Sequence, residues 1–162
     1  MTKVWHWANA DKVSAIKDSG KILLEGSNNE KFVKEGTAPP QIVKLWADMR
    51  QQYEAVGRYV WLTEQSRYAP NSFKPQDKVG FLFDTQDLNA KKWHYIQRDL
   101  KKTNNADALR QISAMNRSAE KINGDDPYKW WCVDKEVPLD LCKGIYVWNN
   151  TKGEYTIEEA QR

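Results

Sequence analysis

Cysteine, histidine and phosphate-binding glycine motifs are scarce in this chain, and each scarcity removes a class of function. The two cysteines, Cys132 and Cys142, stand as C-x9-C. Neither a zinc knuckle nor a redox CxxC motif has that spacing, so both read as reduced core residues. The two histidines, His6 and His94, lie far apart and form no coordinating cluster by themselves, so no metal is expected. No glycine-rich loop opens a helix, which sets aside Rossmann and P-loop nucleotide sites. No apolar run approaches the roughly 18 residues of a membrane helix. The opening MTKVWHWANA lacks the charged, long-apolar, small-residue order of a secretory signal. A soluble, cytoplasmic protein without a membrane partner is expected. Repeats and low-complexity segments are also missing.

Aromatic residues, by contrast, are plentiful. The 162 residues include eight Trp, seven Tyr and four Phe, and 40% of the chain is hydrophobic, enough apolar area to offset chain entropy in one core. One domain spanning 1–162 is expected. The net charge of +3 permits nucleic-acid binding without arguing for it, because nonspecific affinity depends on clustered Lys and Arg.

Residues 3–7 alternate around Trp5 and Trp7 and read as a strand, followed by a helix that is capped at Asn9 or Asp11 and stops at Gly20. The stretch 24–39 is polar, contains glycine and closes on Pro39 and Pro40, so it reads as a mobile loop over some surface. From Pro40 to Val56 the apolar residues Ile42, Leu45, Trp46, Met49, Tyr53 and Val56 share one helical face, with Gly57 just past the end. Segments 58–63 and 78–85 read as strands around an irregular connection. Leu88, Trp93, Ile96 and Leu100 mark a helix. Leu109, Ile112, Met115, Ala119 and Ile122 mark a second, from about Asn105 to Gly124. WWCVDKEV, KGIYVWNN and GEYTI read as strands ending in a hairpin. Grouped strands without βαβ alternation predict an α+β domain with antiparallel sheet and flanking helices.

A histidine between two tryptophans in a strand has two readings. Its ring nitrogens are satisfied by backbone groups, or a neutral imidazole on a rigid platform offers a hydrogen bond to a ligand. His6, followed by Val13, Ile16, Gly20 and Ile22, resembles the opening motif of the ADP-ribosyltransferase superfamily in its histidine clade, which includes DarT-like DNA transferases, PARP-type enzymes and RNA 2′-phosphotransferases. Ala8 stands where those families usually write Thr or Gly. YVWLTEQ resembles the clade's second motif, a strand under the nicotinamide pocket, with Tyr59, Trp61 and Thr63 as the matching positions. The whole layout also resembles an uncharacterised family of small bacterial and phage proteins.

The resemblance implies an ADP-ribosyltransferase-like fold with NAD as substrate. Breaking the nicotinamide–ribose bond passes through an oxocarbenium-like centre, which asks for a carboxylate near the ribose, donors for the dinucleotide and an aromatic wall. On that logic His6 holds ribose or carboxamide, Tyr59, Trp61 and Thr63 bind the cofactor, and a late acid activates the acceptor. Glu136 in VDKEVP is the first candidate for that acid and Asp134 the second. An acid before Val-Pro is equally a solvated strand end.

The acceptor, nucleic acid or protein, would meet the basic region 86–123. Eight Lys or Arg against four Asp or Glu are interleaved there with Trp93, His94 and Tyr95. Such charges also suit an ordinary solvated face. The competing function is a non-catalytic nucleotide- or nucleic-acid-binding or inhibitor module, for instance a phage effector against a host factor.

Overall fold

Strand and helix signals in the chain resolve into one seven-stranded antiparallel sheet with helices on both faces. The computed structural model describes residues 2–68 and 73–158. Residues 69–72 of the expected irregular connection, and the side chain of Ile122, lie outside the described residues. The elements are β1 (Lys3–Asn9), α1 (Val13–Ser19), β2 (Lys21–Ile22), α2 (Ser27–Lys34), α3 (Pro40–Val56), β3 (Val60–Thr63), β4 (Lys78–Asp84), α4 (Thr85–Leu88), β5 (Lys91–Lys92), α5 (Trp93–Lys102), α6 (Ala106–Arg117), β6 (Trp130–Val133), β7 (Val137–Pro138), β8 (Gly144–Asn149) and β9 (Glu154–Glu158). The main sheet runs β5-β6-β3-β1-β4-β8-β9, and β2 pairs with β7 in a separate ribbon.

Alternation along the strands sorts side chains into two cores. Val4, Ala8, Val60, Leu62, Phe81 and Phe83 fill one face with Ile22 and Val137. Trp93, Val56, Ala108, Ile112 and Cys132 form the other, with α3, α5 and α6 contributing. The strand β4, between β1 and β8, has its first six residues buried, Lys78 included. Both cysteines are free thiols, and burial pushes that of Cys132 well above its ordinary pKa.

Two expectations need correction. The 24–39 segment is not irregular throughout: α2 forms within it, entered through Gly26 at φ +79°. Only Phe32 and Val33 give that helix an apolar signature. What fixes it in place is tertiary, since Arg58 reaches Glu30 at 3.0 Å and the Ser27 hydroxyl at 3.2 Å. The helix expected through Leu88 and Leu100 is interrupted. Asn89 adopts φ +50°, ending α4, and Lys91–Lys92 join the sheet as β5 before α5 begins.

Gly80 on β4 lies under the Trp7 ring, where an added Cβ would come within 2.6 Å of the indole. Gly80→Ala is therefore expected to destabilise the fold by about 1–3 kcal/mol by overpacking. Thermal unfolding tests this, and an unchanged midpoint would show that Trp7 moves aside freely.

Candidate functional site

The centre of the site is a break in hydrogen bonding between two neighbouring strands. β1 pairs with β4 along its whole length, from Lys3↔Asp84 to Asn9↔Lys78. With β3 it shares one pair, Trp5↔Thr63, after which the two strands part. At the parting His6 supplies the missing donor: its Nδ1–H donates to the main-chain carbonyl of Trp61 at 2.8 Å. A carbonyl only accepts, so the proton sits on Nδ1 and Nε2 keeps its lone pair. One ring nitrogen is thus bonded to backbone, and Nε2 of the neutral ring can accept a hydrogen bond but not donate one.

Two cavities flank the parting and share His6 and Trp7 as walls. The first, about 510 Å³, lies between the sheet and α6 and is lined by Trp61, Thr63, Tyr68 and Trp130, with Glu25 and Asp125 as its carboxylates. The second, about 580 Å³, lies between β1, α1 and the start of α2, where Lys12, Lys21 and Lys78 line it beside Ser27, Asn28 and Asn29. Lys78 is only 7% exposed. Its ammonium lies 4.1 Å from the Phe73 ring and 4.8 Å from that of Tyr68, and donates to Asn9. Burial lowers its pKa.

Burial likewise holds the His6 imidazole below its usual range, with Lys78 adding to the effect and the Trp61 carbonyl opposing it. The ring is therefore neutral at neutral pH. Burial raises the carboxyl of Glu25, against the Trp61 indole and the Arg58 charge. Tyr68 is pushed up to about 12 by burial and by nearby Asp125, so its phenol stays protonated. Two indoles orient the carboxylates: Trp61 Nε1 donates to Glu25 at 2.8 Å and Trp130 Nε1 to Asp125 at 3.1 Å.

His6, Trp61 and Thr63 meet at the first cavity. Tyr59 does not line it. It packs edge-on against Trp61 with its hydroxyl donating to the Val56 carbonyl. Glu136 stands outside both linings: it precedes β7, which pairs with β2, and it is salt-bridged to Lys21 at 2.9 Å with both side chains about half exposed. Asp134 is exposed just past β6. Glu25, Asp125, Tyr68 and Trp130 escaped the sequence reading. The period-two placement of Trp5 and Trp7 around His6 was the one usable signal, since it puts the indoles on the face opposite Val4 and Ala8.

No family model matches the sequence, and no curated protein matches it. The fold matches that of DarT from Thermus sp. 2.9, solved in complex with ADP-ribosylated single-stranded DNA, at a TM-score of 0.51 and 14% identity, over 93% of this chain and 83% of that one. The fold is DarT-like. The α+β architecture expected from the sequence is the one observed. Among the described residues no helix is long and apolar enough to cross a membrane.

The basic region forms part of the surface around α5 and α6. Tyr95 and Tyr128 are 49% and 63% exposed. Arg98 stacks on Tyr95 at 5.0 Å, and the His94 ring lies 5.2 Å from that of Tyr128. Tyr128 is flanked closely in sequence by Asp125 and Trp130, both walls of the first cavity.

The neutral state of His6 has a measurable consequence. An unfolded chain protonates its imidazole near the ordinary value of about 6.5, while the folded ring waits for a lower pH. Stability is therefore full above about 6.5 and falls as pH drops below it. Glu25 acts with the opposite sign, because its raised carboxyl favours the folded state as it protonates. Comparing wild type with His6→Asn, whose amide nitrogen can stand near the Nδ1 position, separates the two. The stability difference should shift toward the variant between pH 7 and pH 5. A pH-independent difference would show that His6 titrates normally.

Proposed function

We propose that the chain binds NAD across the parting of β1 and β3 and acts as an ADP-ribosyltransferase-like protein, with nucleic acid as acceptor. The observation that carries this reading is the interrupted β1–β3 ladder. It leaves His6 Nε2 between two cavities, each within the size range of small-molecule sites, in a DarT-like fold. His6 Nε2 would accept a hydrogen bond from a ribose hydroxyl or the carboxamide N–H. Trp61 would wall the ring and Thr63 would border it. The three lysines of the second cavity suit the pyrophosphate. In the reaction the nicotinamide–ribose bond breaks, nicotinamide leaves with the bonding pair, and the acceptor bonds to the ribosyl carbon and releases a proton. We assign the carboxylate beside the ribose to Glu25, which lines the first cavity, ahead of Glu136.

For the acceptor, the reading draws on the exposed rings of Tyr95 and Tyr128 beside Arg98, since aromatic faces with cations are how single strands are held without sequence readout. The bound DNA in the Thermus protein points the same way. The alternative, a non-catalytic nucleotide-binding or inhibitor module, is favoured by one observation: Glu136 is engaged with Lys21 and lines neither cavity.

Calorimetry with NAD, and nicotinamide release with and without single-stranded DNA or RNA, tests both. NAD binding with acceptor-dependent release supports the transferase. Binding without release selects the non-catalytic module, and the absence of NAD binding overturns the proposal.

A further inference from the structure

Lysine is almost never fully buried without a charged partner. Among the described residues Lys78 is the one lysine or arginine that is buried, and no carboxylate lies within salt-bridge distance of it. The β1–β4 register sets its surroundings. Asn9 stands opposite it across the ladder, and the Asn9 side-chain oxygen accepts from the ammonium. The Phe73 and Tyr68 rings close two further sides at 4.1 and 4.8 Å. Burial lowers the pKa of the amine, against the pull of Asp11 and Asp77, and so enlarges the fraction present as free, nucleophilic amine.

Lys78 lines the second cavity, whose lining is one-sided in charge. Lys12 and Lys21 join it, and no aspartate or glutamate does. Lys12 has no carboxylate within salt-bridge distance among the described residues, while Lys21 is shared with Glu136 at 2.9 Å. Two ammonium groups on one wall suit a phosphate. That leaves the buried third, caged by neutral groups, free for chemistry of its own.

We infer that Lys78 is a covalent site for an aldehyde that carries a phosphate, with Lys12 and Lys21 holding the phosphate while the carbonyl carbon meets the Lys78 amine. The nitrogen bonds to that carbon, and the carbonyl oxygen leaves as water with two of the three ammonium hydrogens. What remains is a protonated imine that keeps the positive charge and one N–H. The cage fits this product as well as it fits the lysine: a single N–H satisfies Asn9, and the two rings favour a cation in either form. Neither NAD nor ribosyl transfer enters the step, so it stands apart from the transferase reading.

The test is reductive trapping on the full chain. Pyridoxal 5′-phosphate and glyceraldehyde 3-phosphate, each beside its unphosphorylated counterpart, are added with cyanoborohydride, and the adducts are located by peptide mass spectrometry. Lys78 should be trapped about tenfold or more faster than Lys44, which is exposed on α3. Each phosphorylated aldehyde should label Lys78 about tenfold faster than its counterpart. In Lys12→Gln/Lys21→Gln, with folding checked by thermal unfolding, that phosphate preference should vanish while labelling by the unphosphorylated aldehydes persists. The wild-type ratios decide even if the double variant does not fold. Adducts spread over exposed lysines with Lys78 unmodified, equal rates with and without the phosphate, or a preference that survives in the folded double variant overturn the inference. Trapping at Lys78 in a chain that binds no NAD upholds this site while the NAD reading falls. NAD binding with Lys78 unmodified overturns the site and leaves that reading standing.

Discussion

Glu25→Gln is expected to lower nicotinamide release by about two to four orders of magnitude, the range associated with losing a positioned acid–base group. The substitution keeps the size of the side chain and an oxygen able to accept from the Trp61 indole, now 2.8 Å from the carboxylate, but removes the charge that would face the developing oxocarbenium centre. Affinity for NAD should fall by far less than turnover, which marks an interaction strongest in the transition state. The parallel variant Glu136→Gln decides between the two acids. With its carboxylate about half exposed and held by Lys21 at 2.9 Å, it should stay within about twofold of wild type. A large loss there with full activity in the Glu25 variant would return the role to Glu136, the residue that the resemblance to ADP-ribosyltransferases implies.

Trp93→Ala is expected to destabilise the protein by about 3–5 kcal/mol. The ring is fully buried and sits edge-on to Trp61 at 5.2 Å. Its indole N–H donates to Asn116 at 3.2 Å, and Asn116 in turn donates to buried Gln97 at 2.9 Å. Removing the ring therefore opens a void under a wall of the site and leaves the partly buried Asn116 oxygen without its donor. At roughly 2–4 °C per kcal/mol for a chain of this size, the fall in melting temperature is easily measured by calorimetry. Tyr128→Ala, at a largely exposed ring, should change stability by no more than about 0.5 kcal/mol. Comparable losses in the two variants would mean that Trp93 is not the support described here.

Where local chemistry sufficed, the structure follows the sequence closely. Pro40 opens α3 and Gly57 closes it, because proline fits a first turn and glycine a helix end. Asn105 caps α6 by accepting from the amides of Asp107 and Ala108, a short-range bond that any chain with that residue order can make. The strands β1, β4 and β8 were legible from their aromatic and β-branched runs. Less legible was α2, whose support comes from Arg58, distant in sequence. The two-residue strands β2, β5 and β7 exist only because a partner edge is present, and so carry no signal of their own.

The site divides the same way. By itself the sequence determined an α+β chain with antiparallel sheet, since strand periodicity is a local property, and its resemblance to ADP-ribosyltransferases marked His6, Trp61 and Thr63 as residues of interest. Tertiary structure alone decided that β1 parts from β3 after Trp5↔Thr63, that His6 bridges the parting with one nitrogen, and that Glu25 and Asp125 rather than Glu136 line the first cavity. The reason is physical: whether a carboxylate reaches a cavity depends on strand order and register, which are set by how two cores pack on opposite faces of one sheet and not by spacing along the chain.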